Sequence, residues 1–267
     1  MNRLLICTPC YDRPIMPWVE SIDRARRELA GQVEIETLPA CEHSLIADAR
    51  NKLLGMFMQE STAEAMLFID ADESFTPRDV MAIVRGIDHG WPIVGAAYAK
   101  KLVNWEAIHA AVLAGATPWD LQRIGSTKHN FSVSAKPGDV VRIKRLPNLW
   151  GPYDYVEVEF CGTGFLGIAR AAVQRLRVQV NKDYAVPGLD EPLAVPGLFE
   201  DYVERAGYVG EDIHFCRLAR RYELPIHVFL DSQVQHWGMY AHPANARGAM
   251  EAAGYRFKVE TEVQERG

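Results

Sequence analysis

The chain has 267 residues, 48% of them hydrophobic and 24% charged, with a formal net charge of −6 at pH 7. That is enough apolar material for one large α/β domain or two small ones, and it excludes a disordered chain. The acidic balance argues against a broad electropositive surface for sequence-independent nucleic-acid binding. Apolar runs such as 66–69, 93–98 and 227–230 fall far short of the ~20 residues of a membrane-spanning helix.

At the N-terminus the apolar run stops after a few residues and no small-residue cleavage site follows, which predicts a cytoplasmic protein rather than a secreted one. Cys7, Cys10, Cys41, Cys161 and Cys216 are odd in number and without paired spacing, so reduced thiols are expected. Cys7 and Cys10 form a lone CxxC, read as small buried residues near a strand end rather than a zinc or redox centre. Lys128, Lys136, Arg142, Lys144 and Arg145 concentrate positive charge in a stretch read as a solvated loop.

In chain order, residues 3–7 read as a first buried strand running into the loop Thr8-Pro9-Cys10-Tyr11. Residues 18–29 alternate apolar and charged positions at helical spacing, and 33–38 read as a second strand. From Ser44, a candidate N-cap, apolar residues at steps of three and four mark an amphipathic helix through Met58. A strand over 66–69 stops at Asp70-Ala71-Asp72. Thr76 and Pro77 then open a helix, and 91–98 supply another strand. This alternation predicts an open, mostly parallel sheet with helices on both faces, with ligands at the carboxyl ends of its strands.

Residues 100–150 read as an irregular insertion with short strands, and 155–169 return to strand character. The stretch 181–209 reads as a second long loop, suited to a lid or to acceptor binding. A helix over 211–222 and a strand over 226–230 follow, and the chain beyond Tyr240 reads as a polar tail.

The Asp70-Ala71-Asp72 triplet directly after a strand is the first chemical signal. On an extended segment, alternation would put both carboxylates on one side. Hard divalent cations such as Mn²⁺ or Mg²⁺ take oxygen ligands and bridge to phosphate oxygens, and they stabilise a leaving diphosphate as Lewis acids. Such a triplet by itself is a weak signal and reads more readily as a turn whose acids cap a helix.

An ordered set of segments carries more. It runs through Leu45-Ile-Ala-Asp-Ala-Arg50-Asn51, then Met66-Leu-Phe-Ile-Asp70-Ala71-Asp72, then Gly95-Ala-Ala-Tyr98-Ala-Lys100. In the second half come Val156 to Arg170 with Gly162-Thr163-Gly164, Gly210-Glu211-Asp212-Ile-His-Phe-Cys216, and Gln235-His236-Trp237-Gly238. Together they resemble the GT-A glycosyltransferases of the bacterial and phage type, from about residue 4 to about residue 240. The resemblance implies one GT-A domain over 1–240, with a nucleotide-sugar-binding half (1–100) and an acceptor-binding half (101–240), and a tail over 241–267.

By that resemblance Thr8, Pro9, Cys10 and Tyr11 hold the base and ribose, and Arg50 and Asn51 face the nucleotide. Asp70 and Ala71 meet the donor, Lys100 meets a phosphate, and Asp70, Asp72 and His236 hold the metal. Asp212 acts as general base with Glu211 supporting it, and Gly162, Thr163, Gly164 and Trp237 stand on the acceptor side. Each has a plainer alternative: Arg50 and Lys100 as solvated residues, Glu211 and Asp212 as acids favoured at a helix N-terminus, His236 as a structural histidine. The sequence departs from the family pattern at His214, where an acid is more usual, and at Gly167, where a larger apolar residue is commoner.

The implied function is metal-dependent transfer of a sugar from a nucleotide sugar, a UDP-sugar before others, to an acceptor hydroxyl. The acceptor is a saccharide, a glycolipid, a protein or a modified phage DNA base. Two other classes suit the same acids: a nucleotidyltransferase and a non-catalytic nucleotide- or sugar-binding module. The later Glu-Asp and His motifs favour sugar transfer.

Overall fold

A computed structural model describes residues 1–40, 45–125, 129–147, 151–186, 193–238 and 241–261. The first half follows the expected alternation: β1 (Arg3–Pro9), α1 (Met16–Glu28), β2 (Glu34–Ala40), α2 (Ile46–Glu60), β3 (Ala65–Ile69), β4 (Glu73–Ser74), α3 (Pro77–Asp88) and β5 (Ile93–Ala96). Local chemistry accounts for the start of α3. Thr76 and Asp79 form a reciprocal capping box, and Pro77 occupies a first-turn position where its missing N–H costs nothing. Ser44, the expected cap of α2, falls outside the described residues, and the helix begins after Leu45 with no side-chain cap.

The second half differs more from expectation. The stretch read as an irregular insertion contains two helices, α4 (Trp105–Leu113) and α5 (Pro118–Gly125), before β6 (Phe131–Ser132) and β7 (Val140–Leu146). The basic cluster is correspondingly not a plain loop: Arg142, Lys144 and Arg145 stand on β7, and Lys128 falls outside the described residues. After β8 (Tyr153–Val158), β9 (Phe160–Cys161) and β10 (Phe165–Ala169) comes α6 (Arg170–Val180), a helix not read from the sequence. The expected long loop holds two hairpins, β11 (Asp183–Val186) with β12 (Leu193–Pro196) and β13 (Tyr202–Glu204) with β14 (Gly207–Val209). Then follow α7 (Glu211–Arg221), β15 (Ile226–Phe229), β16 (Gln235–Trp237), β17 (Ala241–Pro243), α8 (Ala246–Ala252) and β18 (Arg256–Thr261).

Nine strands make one sheet in the order β18-β7-β8-β15-β5-β10-β3-β1-β2. Only β8 and β10 run against the other strands of this sheet, so it is mixed and mostly parallel. The expected polar tail is corrected here: β18 pairs in parallel with β7 and forms an edge of the sheet. A separate three-stranded sheet, β17-β16-β4, ties the segment after the Asp70–Asp72 turn to the chain around His236.

Both faces of the large sheet are covered, as a mostly parallel sheet requires. On one face α1 and α3 place Trp18, Ile22, Val80 and Ile83 against Leu4, Ile6, Leu67 and Ile69. On the other, α2, α6, α7 and α8 contribute Leu53, Phe57, Val173, Leu176, Phe215 and Met250 to a second core. A side chain as fully buried as Phe57 stabilises the fold by roughly 1.5–3 kcal/mol. The unusual Gly167 has a packing cause: a Cβ on β10 at that point would run into Ile83 of α3. Arg170 ends α2 from outside, donating to the carbonyls of Phe57 (2.9 Å) in its last turn, Ser61 (2.8 Å) at its C-cap and Ala63 (2.8 Å) just beyond. No helix among the described residues is long and apolar enough to cross a membrane. Cys7 and Cys10 are both buried, in keeping with the plain reading of the CxxC.

Candidate active site

The carboxyl ends of β1 and β3 are neighbours in the sheet, so the chain leaving each strand faces the same crevice. The Asp70–Asp72 segment is a turn, not the extended run expected. The Glu73 N–H donates to the Asp70 carbonyl at 3.1 Å and closes it. Three distant segments then hold it: Asp70 N–H donates to the Gly164 carbonyl (2.8 Å), Ile15 N–H to the Ala71 carbonyl (2.9 Å), and Trp237 N–H to the Asp72 carbonyl (2.8 Å). The turn still directs both acids to one place. A cleft of about 430 Å³ is lined by Pro9, Cys10, Tyr11, Asp70, Ala71, Asp72 and His236 together with Ala49 and Ile46 of α2. Tyr11 is largely exposed at its rim. Thr8 differs from the rest of its loop: it is 1% exposed, within β1 and paired in register with Pro39, so it does not face the cleft.

Asp72 is the focus of the cleft's charge. The Lys101 ammonium contacts its Oδ2, and His236 Nε2 stands 3.4 Å from its Oδ1. Burial works to raise the Asp72 pKa, but hydrogen bonds from His236 and Lys101 outweigh it and hold the carboxyl below its ordinary value. His236 Nδ1 is 3.1 Å from the Ala99 carbonyl oxygen. A carbonyl can only accept, so Nδ1 carries a proton; Nε2, toward Asp72, is then a lone pair in the neutral ring and an N–H donor to Asp72 only in the imidazolium. An Nδ1–H given to a backbone carbonyl is the arrangement by which a metal-ligating histidine is usually oriented. Among the described residues no group of three or more His, Cys, Asp or Glu side chains converges on a point able to hold a metal ion. Asp72 and His236, with Oδ1 and Nε2 3.4 Å apart, are two side chains that could each give one ligand to a divalent ion.

Arg50 does not open into this cleft. It is 2% exposed, and its guanidinium stacks over Phe68 at 5.2 Å. Nη2 donates to Asp70 Oδ1 at 2.8 Å, and Nε to Glu211 Oε1 at 3.4 Å. Burial works to lower its pKa, but Asp70 and Glu211 more than offset this and raise it. The geometry thus corrects the expectation of a phosphate-facing arginine: Arg50 links the first acid of the turn to the first acid of α7. Asn51 is likewise turned inward, donating to the Phe199 carbonyl (2.8 Å) and accepting from the Leu198 (3.1 Å) and Phe199 (2.9 Å) N–H groups. It fastens α2 to the 197–199 segment and does not face the cleft. Lys100 is exposed, and it is the next residue, Lys101, that reaches Asp72.

Glu211 and Asp212 open α7, where the exposed N–H groups favour acids. Burial first, then the nearby Asp212 charge, raise the Glu211 pKa against the opposing pull of Arg50. Asp212 Oδ1 accepts the Ile213 N–H at 2.7 Å. The residues expected on the acceptor side are more structural than expected. Gly162, Thr163 and Gly164 are buried. A Cβ at Gly162 would collide with the Tyr98 hydroxyl, and one at Gly164 would come within 2.7 Å of it and 2.6 Å of Glu73 Oε1. The two glycines thus make room for the Tyr98 hydroxyl, which accepts the Gly164 N–H at 3.0 Å. Trp237 donates its indole N–H to Ser74 Oγ at 2.8 Å and so braces the small sheet beneath the turn.

Two residues of the site had no separate signal in the sequence. Lys101 stood beside the favoured Lys100. Glu73 adjoins Asp72, is fully buried, and has neither carboxylate oxygen hydrogen-bonded among the described residues. Burial first, then the charges of Asp70 and Asp72, push its pKa well above the ordinary value.

No protein-family model matches the chain, and no curated protein matches it in sequence. Among solved structures, the chain is similar to A197 from STIV, at 13% identity over 100% of both chains with a TM-score of 0.51. More remote are a CMP-2-keto-3-deoxy-manno-octonic acid synthetase complexed with CTP (12% identity, 86% of this chain and 89% of that one, TM-score 0.43) and S. aureus TarS 1-349 in complex with UDP-GlcNAc. The TarS likeness has 13% identity and a TM-score of 0.41, covering 98% of this chain and 60% of that one. The likeness to A197 is one of fold alone.

Proposed function

We propose that this chain is a metal-dependent glycosyltransferase of the GT-A type, which transfers a sugar from a nucleoside diphosphate sugar, a UDP-sugar before others, to an acceptor hydroxyl. The observation that carries this reading is the pairing of Asp72 with His236 in the cleft beside Pro9, Cys10 and Tyr11. A carboxylate oxygen and an imidazole lone pair facing each other at 3.4 Å repel unless a proton or a cation stands between them. Asp72 and His236 would hold Mn²⁺ or Mg²⁺, with Asp70 assisting through the nucleotide. A bound divalent ion supplies Lewis-acid stabilisation of the departing diphosphate.

The remaining work falls to the chain itself. Pro9, Cys10 and the exposed ring of Tyr11 offer a surface for the nucleoside. Arg50 holds Asp70 and Glu211 in place, and Glu211 supports its neighbour Asp212. Asp212 is the base: as the acceptor oxygen attacks the anomeric carbon and the bond to the diphosphate breaks, the acceptor proton passes to its carboxylate.

Incubating the protein with a panel of nucleotide sugars and Mn²⁺, with saccharide, glycolipid, peptide and modified-DNA acceptors, tests the reading by intact mass spectrometry. A mass increase of one sugar residue supports it. Addition of a nucleotide to the acceptor points to nucleotidyl transfer instead, and binding without turnover on any acceptor points to a binding module.

A further inference from the structure

Lys101 has no role in the reading above beyond its contact with Asp72, yet its setting calls for more. A diphosphate entering the cleft meets three carboxylates, Asp12, Asp70 and Asp72. Arg50 cannot turn to meet it without unpairing two acids, since its side chain is 3% exposed and engaged by both Asp70 and Glu211. Arg13 stands at the rim with its side chain 85% exposed, paired with Asp12 at 3.7 Å. Lys101, in the loop after β5, carries its ammonium to Asp72 Oδ2, on the carboxylate whose other oxygen faces His236. Its side chain is 35% exposed, so solvent and a ligand can reach it. The stem passes close to the backbone of Gly238, where an added Cβ would already be in contact with Lys101 Cδ at 3.5 Å. An ammonium carries three N–H donors and Asp72 engages one side of it, leaving donors for phosphate oxygens.

We propose that Lys101 is a phosphate-binding residue of the donor site, giving its remaining N–H donors to the diphosphate at the place where Asp72 and His236 meet it. The proposal rests on the reading that the cleft takes a nucleoside diphosphate, and it adds a protein cation to the charge that neutralises the leaving group. It also separates the two adjacent lysines: Lys101 binds phosphate and Lys100 does not.

Calorimetry with inorganic pyrophosphate, UDP and uridine, each at saturating Mn²⁺, tests it on the wild type and on Lys101→Met, Lys101→Arg and Lys100→Met. Mn²⁺ binding alone is followed by electron paramagnetic resonance, and thermal unfolding verifies that each variant folds. Loss of a charge-assisted hydrogen bond predicts that Lys101→Met weakens pyrophosphate and UDP by roughly tenfold or more. Uridine binding is then unchanged, Lys101→Arg retains much of the affinity, and Lys100→Met has no effect. Mn²⁺ alone binds Lys101→Met at least as tightly as wild type, because a competing cation has been removed from Asp72. If Lys101→Met binds pyrophosphate and UDP as wild type does, Lys101 is only the counter-ion of Asp72 and the proposal is overturned. A wild-type protein that binds neither probe overturns the donor-site reading itself, a distinct result.

Discussion

Arg50 donates through Nη2 to Asp70 Oδ1 at 2.8 Å from a position that is 2% exposed, while Nε of the same guanidinium reaches Glu211 Oε1 at 3.4 Å. The two acids come from opposite halves of the chain, on the turn after β3 and at the start of α7. A single buried cation thereby fixes the spacing between the expected donor side and the expected acceptor side.

Removing that cation has a cost set by burial. Arg50→Ala leaves Asp70 and Glu211 near each other without their common partner, and breaking a buried pair in this way costs about 3–5 kcal/mol. Urea unfolding measures it directly. Turnover falls as well, and binding of a nucleoside falls no less than that of its diphosphate. A variant of wild-type stability that loses only diphosphate affinity would show that Arg50 reaches the phosphates after all.

Asp72→Asn removes the charge shared by His236 and Lys101 while keeping the shape of the side chain. Metal-dependent binding of UDP should disappear, whereas binding of uridine in the absence of metal should change little. Titration of UDP with and without Mn²⁺ decides the matter, and a mutant with undiminished metal dependence rejects Asp72 as a metal ligand.

Asp212→Asn keeps the size of the side chain and its hydrogen bond to the Ile213 N–H but cannot accept a proton. A base acting in the transition state predicts a loss of roughly 10²-fold or more in kcat, with donor affinity within a few fold. Near wild-type turnover would reduce Asp212 to a helix-opening acid and move attention to Glu211.

Asn51 supports the fold rather than the ligand. Its amide satisfies one carbonyl and two N–H groups of the 197–199 segment, all in buried surroundings. Asn51→Ala removes all three hydrogen bonds, with the Leu198 N–H keeping only its contact with the Pro196 carbonyl, and should cost about 2–4 kcal/mol. The melting temperature falls accordingly, while nucleotide affinity measured well below it is retained.

His227 is 1% exposed, stacked on Trp91 at 4.1 Å, and its pKa is pushed down to about 3 by burial, with the charges of Lys144 and His89 adding to the effect. Because the unfolded histidine titrates near its ordinary value, the unfolded chain binds the extra proton first. This contribution to stability is complete above about pH 6.5 and is lost progressively as pH falls toward about 3. His227→Phe should flatten that part of the stability profile, as measured by denaturant unfolding from pH 7 to pH 4.

Much of the fold was legible because its signals are local. The strands β1, β3, β5 and β15 are short apolar runs, and α3 announces itself through Thr76 and Pro77. The helix α6 carries its core positions, Ala172, Val173 and Leu176, among arginines and glutamines that dilute the pattern. The edge strand β18 has mostly exposed residues, and its partner β7 is more than a hundred positions earlier, so nothing near it in sequence marks the pairing.

The site divides in the same way. The ends of β1 and β3 and the resemblance to GT-A enzymes pointed to the Asp70–Asp72 turn, the Pro9–Tyr11 segment and His236, which line one cleft. Which way a side chain turns there is a tertiary matter. Arg50 and Asn51 are consecutive on α2, yet one meets two acids and the other a backbone segment some 150 residues away. Gly162 and Gly164 serve the Tyr98 hydroxyl beneath them, a requirement visible only once β5 and β10 are neighbours. Between Lys100 and Lys101 the sequence had no means of choosing, since a step of one residue in a loop redirects a side chain entirely. The path of the chain after β5 decided that Lys101 meets Asp72.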